Sequence, residues 1–203
     1  FKGAPAGEAE MLKAIASRVH GYTRALEAQL KKLKLKQANA GYFDTLKIVG
    51  DQKKWIQRAE KLGYNLRAYT DGAVGISLDE TTSEADVAAL VSVFSGKAAK
   101  VSAIKTDCKL QVVPSCVRTS SYLTHSVFNS HHTETQMMRY LRKLEGRDVG
   151  LNVSMIPLGS CTMKLNAVAE MIPVTWAEFA KLHPFAPSSQ TKGYAEITSE
   201  LEK

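Results

Sequence analysis

Met11, Ile15, Val19, Tyr22, Leu26, Leu30 and Leu33 recur at steps of four or three residues. That spacing sets them on one stripe of a long amphipathic helix. A stripe of this length needs other elements to cover it, so the rest of the chain must supply a sheet or further helices. Lys31, Lys32, Lys34 and Lys36 crowd its end, and Gly41 marks the expected exit.

The next sixty residues supply such a cover. Tyr42 to Val49 is rich in β-branched and aromatic residues and reads as a strand. Asp51 is placed to cap a second helix, with Trp55, Ile56, Ala59 and Leu62 on one face and Gly63 at its end. Asn65–Tyr69 and Ala73–Leu78 flank Thr70-Asp71-Gly72, a hairpin signal. Thr81 and Glu84 have capping-box spacing before a third helix that turns Val87, Leu90, Val91 and Phe94 inward and stops at Gly96. The order helix-strand-helix-strand-strand-helix predicts a small α+β domain, within the α/β class, over residues 1–96.

Periodicity fades over 97–132, which is rich in Ser, Thr and Val and reads as an extended connector. Thr133 and Gln136 form a second capping-box pair. They precede Met137, Leu141 and Leu144, a spacing that predicts a core-facing helix ending at Gly146. Pro173, Pro184 and Pro187 then break the chain between the apolar anchors Trp176, Phe179 and Phe185. Tyr194, Ile197 and Leu201 share one side of a last helix. Beginning at Phe1 and closing inside a periodic helix, the sequence reads as a partial polypeptide.

Lys and Arg number 27 against 20 Asp and Glu, a net charge of +7. The lysine cluster reads as a solvated helix end, its cations suited to the macrodipole. No aromatic residues interleave with it, which favours that reading over a nucleic-acid site, and no nucleic-acid partner is expected. No apolar run approaches the roughly 20 residues of a membrane span, so no membrane partner is expected either. Cys108, Cys116 and Cys161 form neither a disulfide framework nor a paired zinc pattern.

Chemistry is sparse. His20, His125, His131, His132 and His183 lack metal-ligand spacing, and the adjacent His131-His132 reads as part of the turn into the Thr133 helix. Nucleophile-elbow, Walker and dinucleotide motifs are absent. The exception is Pro157-Leu158-Gly159-Ser160-Cys161-Thr162-Met163-Lys164-Leu165-Asn166. Its Gly allows close backbone approach, and three consecutive side-chain donors suit a carboxylate, a phosphate or a pocket rim. The same hydroxyls would also satisfy a buried turn.

Met155 to Asn166 resembles the signature of the glycine cleavage system P-protein, the decarboxylating glycine dehydrogenase family. The flanks agree: Leu123-Thr124-His125, Val127-Phe128-Asn129, Met137-Met138-Arg139-Tyr140, Glu170-Met171-Ile172-Pro173 and His183-Pro184-Phe185. So do Phe43-Asp44-Thr45-Leu46 and Val74 to Thr81, and the resemblance covers nearly the whole chain. Ser126 and Ala177 stand where the family often has Pro, and Val153 where a polar residue is common.

The resemblance implies two related halves, each like a fold-type I enzyme dependent on pyridoxal phosphate. Residues 1–96 would be the C-terminal small domain of the first half, 97–132 the connector, and 133–203 the helical start of the second, cofactor-binding half. It implies glycine as substrate, the cofactor as electron sink for loss of carbon dioxide, and the lipoylated H-protein as acceptor of the aminomethyl group. It also implies a homodimer or a heterotetramer of halves, in the mitochondrial matrix of a eukaryote or the cytoplasm of a bacterium. Ser160, Cys161 and Thr162 would border the active-site mouth by hydrogen bonding, with His125 on the same rim. No catalytic residue or metal ligand is expected in this sequence. The family's Schiff-base lysine lies in a His-Lys-Thr context, and no His-Lys pair occurs here, Lys164 belonging to a different motif. The chain alone should therefore be inactive. The alternative expectation is a non-catalytic structural or interaction subunit derived from the family.

Overall fold

The computed structural model describes residues 8–101, 104, 114–147 and 167–203. The chain divides into two units, Phe1–Ser130 and His131–Lys203.

In the first unit, α1 spans Glu8–Lys32 and buries Val19, Leu26 and Leu30, with Tyr22 half-buried beside them. Two polar residues join that face. The Thr23 hydroxyl donates to the Val19 carbonyl at 3.0 Å, as burial demands of a hydroxyl. His20 Nδ1 donates to the Phe43 carbonyl at 2.8 Å, and its ring lies 5.5 Å from the Phe43 ring, nearly parallel to it. His20 therefore ties α1 to the chain entering the sheet.

The helix stops well before Gly41. Lys34 adopts φ +60°, its N–H donates to the Lys31 carbonyl, and the Leu35 N–H reaches the Leu30 carbonyl. Those two bonds make a Schellman ending with lysine in the left-handed position usually given to glycine. Leu33 falls past the last turn and is exposed, outside the expected stripe. The released chain forms an unexpected edge strand, β1 at Lys36–Gln37, paired antiparallel with β2 at Thr45–Val49.

Asp51 accepts from the Lys54 N–H and opens α2 at Gln52–Lys61, which buries Trp55 and Ala59 but leaves Leu62 exposed. The hairpin is shorter than expected: β3 is Arg67–Ala68 and β4 is Ala73–Ser77. Tyr69 N–H closes it on the Ala73 carbonyl at 3.0 Å, with Gly72 at φ +80° in a conformation that favours glycine.

α3 spans Glu84–Ser95, and its cap is Ser83 with Asp86, two residues beyond the expected Thr81–Glu84 pair. Thr81 is engaged by Asp79, whose carboxylate accepts from the Thr81 N–H and hydroxyl. The pattern fits both pairs, and the Asp79 turn takes the first threonine out of competition.

The sheet order is β1-β2-β4-β3, antiparallel throughout. Leu46, Ile48, Val74 and Ile76 come from its two central strands and form the core with Leu26, Leu30, Trp55, Ala59, Val87, Leu90 and Phe94 from the helices. This is a mixed unit, helices against a small antiparallel sheet, as the α+β expectation required. Beyond it the described part of 97–132 holds only two short 3-10 turns, at Pro114–Cys116 and Ser126–Asn129.

In the second unit, α4 spans Glu134–Glu145, opened by the expected box: Thr133 accepts from the Gln136 N–H and the Gln136 side chain returns the bond. Single helical turns come next at Val168–Met171 and Ala177–Ala180, and α5 spans Lys192–Leu201. The core-facing expectation fails here. Met137 is 38% exposed and Leu141 52%, and the expected anchors Trp176 and Phe185 are 52% and 90% exposed. Among the described residues of this unit none is buried.

Candidate functional site

Ser160, Cys161 and Thr162 lie outside the described residues, as does the whole Met155–Asn166 block. His125 is described, and the loop around it is held by its own side chains. Its Nδ1 accepts the Val127 N–H at 3.1 Å, capping the Ser126–Asn129 turn. An accepting Nδ1 places the proton of the neutral ring on Nε2. Asn129 Nδ2 donates to the Leu123 carbonyl at 3.1 Å and the His125 carbonyl at 3.3 Å. Leu123 sits at φ +51°, and Ser130 Oγ donates to the Ser126 carbonyl. His125 is thus an exposed ring with one nitrogen spent on local structure.

The other histidines serve structure too. His131 stacks on Tyr140 at 4.2 Å. The His132 N–H joins the α4 cap through Gln136 at 3.1 Å, and His183 Nδ1 accepts the Phe185 N–H at 3.0 Å. Among the described residues no group of His, Cys, Asp and Glu could hold a metal ion, and no helix is long and apolar enough to cross a membrane.

One cavity, of about 300 Å³, opens in the first unit between the β4 end and the start of α3. No sequence pattern marks it, since its lining comes from the chain after α2, the β4 end and the start of α3. The Tyr64 hydroxyl donates to Asp86 Oδ1 at 2.7 Å. That bond, with some burial, pushes the phenol up to about 12. Asp86 is held below the usual carboxylate range by the Ser83 hydroxyl first and Tyr64 second, and Asp79 is held down chiefly by the Thr81 hydroxyl. Both acids therefore stay ionised at neutral pH.

Such a pocket does not fit pyridoxal phosphate. Two carboxylates line it and no Lys or Arg does, so a phosphate would meet repulsion with no compensating cation. At the end of α1 Lys31 is paired with Glu27 at 2.6 Å, and Arg18 of the same helix is engaged outside the lining, donating to the Glu80 carbonyl at 2.9 Å.

Comparison with known proteins supplies what the geometry does not. Residues 6–94, which take in α1 to nearly the end of α3, match the family model of the glycine cleavage system P-protein. A glycine dehydrogenase (decarboxylating) of Photobacterium profundum is 50% identical over 200 residues, 96% of this chain and 21% of that protein. Enzymes of the same name from Deinococcus radiodurans and Vibrio vulnificus are 50% and 49% identical over 194 and 197 residues, covering 96% and 94% of this chain. The chain spans about a fifth of the length of these curated relatives. Identity of about half over 96% of the chain meets the expectation raised by Met155–Asn166: the chain belongs to the glycine cleavage system P-protein family.

Proposed function

We propose that this chain works as part of a glycine dehydrogenase (decarboxylating), as the stretch that joins its two halves. Residues 1–96 are the small domain closing the first half, 97–132 the connector, and 133–203 the start of the cofactor-binding half. The observation that carries this reading is near-50% identity over 96% of the chain to enzymes of that name. The bacterial source of those relatives supports the cytoplasmic branch of the expected location over the mitochondrial one.

In this role the chain shapes the site and leaves the bond-breaking to groups outside it. Ser160, Cys161 and Thr162 offer hydrogen-bond donors at the active-site mouth, where glycine's carboxylate needs partners that water would otherwise supply. His125 presents Nε2–H on the same rim, its other nitrogen spent on its own turn. Pyridoxal phosphate belongs to residues beyond those described, since the described cavity repels it and the sequence lacks a His-Lys pair. The aminomethyl group leaves to a lipoylated H-protein.

The test compares two polypeptides in glycine-dependent release of carbon dioxide, with pyridoxal phosphate and lipoylated H-protein supplied. The complete protein carrying this sequence should release it, and the 203-residue chain alone should not. In the complete protein, Ser160→Ala and Thr162→Val should each raise KM for glycine about tenfold, the loss of one hydrogen bond to a charged group. Release by the isolated chain at rates near the complete protein's would overturn this reading. A complete protein without activity would favour the structural subunit.

A further inference from the structure

We infer that Tyr122 is a positioning residue: its hydroxyl, bonded to the Ala9 carbonyl in the first turn of α1, sets where the His125 loop stands. The inference rests on the proposed function, in which His125 borders the active-site mouth.

The loop is braced from within. Leu123 turns the chain at φ +51°, the Asn129 side chain holds the Leu123 and His125 carbonyls, and His125 caps the turn that follows. These bonds fix the shape of residues 123–130 without fixing where that shape sits. Among the described residues, the other hydrogen bonds of 118–130 also stay inside the stretch, with one exception. The Tyr122 hydroxyl donates to the Ala9 carbonyl at 3.0 Å, across 113 positions of sequence.

Both partners suit an anchor. Residues 9–18 of α1 bury nothing, so this half of the helix offers surface to a returning segment. A backbone carbonyl has two lone pairs, and the helix bond of Ala9 uses only one. Tyr122 is half-buried in a stretch that is mostly exposed, and the Arg118 guanidinium stands 5.4 Å from its ring centroid. Its side chain has two torsions to fix, so holding it costs little conformational entropy. Three residues separate Tyr122 from His125, about 11 Å of chain at most, and the braced loop carries a shift at the anchor through to the ring. A hydrogen-bonding group displaced by about 1 Å is out of reach of its partner.

The test compares the complete protein with its Tyr122→Phe, His125→Asn and double variants, in KM and kcat for glycine-dependent release of carbon dioxide. Tyr122→Phe removes the hydroxyl and keeps the ring. His125→Asn keeps an acceptor for the Val127 N–H and removes Nε2. Tyr122→Phe should raise KM about threefold, a modest hydrogen bond's worth, with kcat within about twofold of the parent's. His125→Asn should raise KM further, and adding Tyr122→Phe to it should change nothing more, because the hydroxyl acts through His125. Effects that multiply would overturn the inference, the hydroxyl then serving the fold at large. So would an unchanged KM in either single variant, a fall in kcat alone, or a Tyr122→Phe protein that fails to fold. Peptide-mapped modification by diethylpyrocarbonate gives a second readout. Glycine should shield His125, and half-shielding in Tyr122→Phe should need about three times the parent's glycine; equal need would overturn the inference. A parent that releases no carbon dioxide would overturn the proposed function and this inference with it. A releasing parent with any failure above would overturn this inference alone.

Discussion

α3 and α4 begin alike and end up in opposite circumstances. Each has twelve residues, and each is opened by a reciprocal box, Ser83 with Asp86 and Thr133 with Gln136. Each carries apolar residues at helical spacing. α3 buries Val87, Leu90, Val91, Val93 and Phe94, whereas α4 buries nothing. Caps and periodicity are local, satisfied within one turn of chain. Burial is a property of what lies opposite, and α3 packs into a core shared with a sheet and two helices.

The comparison breaks most readily at one leucine in each helix. Leu90→Ala, at a site 3% exposed, should cost about 2–5 kcal/mol through lost burial and the cavity left behind. Leu141→Ala should change the stability of the 203-residue chain by less than about 0.5 kcal/mol, as at other exposed sites. Urea titrations followed by tryptophan fluorescence would measure both. Trp55 is the reporter of the core, its ring 4.8 Å from Phe94, and Trp176→Phe removes the exposed second tryptophan. A loss at Leu141 as large as that at Leu90 would mean that α4 has found a core after all.

The same contrast explains what could be read from the sequence. Over residues 8–101 the helices, the hairpin and most of the core were legible, because periodicity there coincides with a cover the chain itself supplies. The edge strand β1, the strand ends and two helix boundaries were not. α1 ends on Lys34 in a left-handed conformation, and lysine carries no such signal. The α3 cap moved from Thr81 to Ser83 because Asp79 claims the nearer threonine through its own turn. In the second unit the helices were legible and their environment was not, since amphipathicity says which face wants burial without saying what buries it. Of the candidate site, Ser160 to Thr162 were legible only by resemblance. His125 was legible as a residue, yet its bond to the Val127 N–H depends on a loop geometry that spacing does not encode.

A smaller effect sharpens the comparison at the caps. Ser83→Ala should cost about 1 kcal/mol of the cooperative unfolding free energy, the usual worth of an N-cap. Thr133→Ala removes the same chemistry from α4. It should lower helical circular dichroism while leaving the Trp55 transition in place, because α4 buries none of its residues. A shift of that transition by both variants would join the two units into one cooperative body.

The smallest expected difference lies in pH dependence, and it stems from the residue at the third position of each box. Gln136 does not titrate, so the α4 cap should hold equally well in acid and alkali. Asp86 does, and it also accepts the Tyr64 hydroxyl that pins the chain after α2 to the start of α3. The depressed Asp86 carboxyl contributes stability that is complete above its unfolded value of 3.8 and is lost as pH falls through the lower folded value. Tyr64 works from the other side. Its phenol is raised from 10.0 to about 12, so its contribution is complete below pH 10 and is lost as pH climbs from 10 through 12. Tyr64→Phe should cost about 0.5 kcal/mol at pH 7, the low end for a hydrogen bond near the surface. It should also remove the alkaline loss between pH 10 and 12. The acid loss should persist in the variant, smaller but present, because the Ser83 hydroxyl is the larger hold on Asp86. Urea midpoints of parent and variant at pH 3, 7, 10 and 11.5 would separate the two arms. An alkaline loss unchanged in Tyr64→Phe would assign it to another group and detach Tyr64 from the cap.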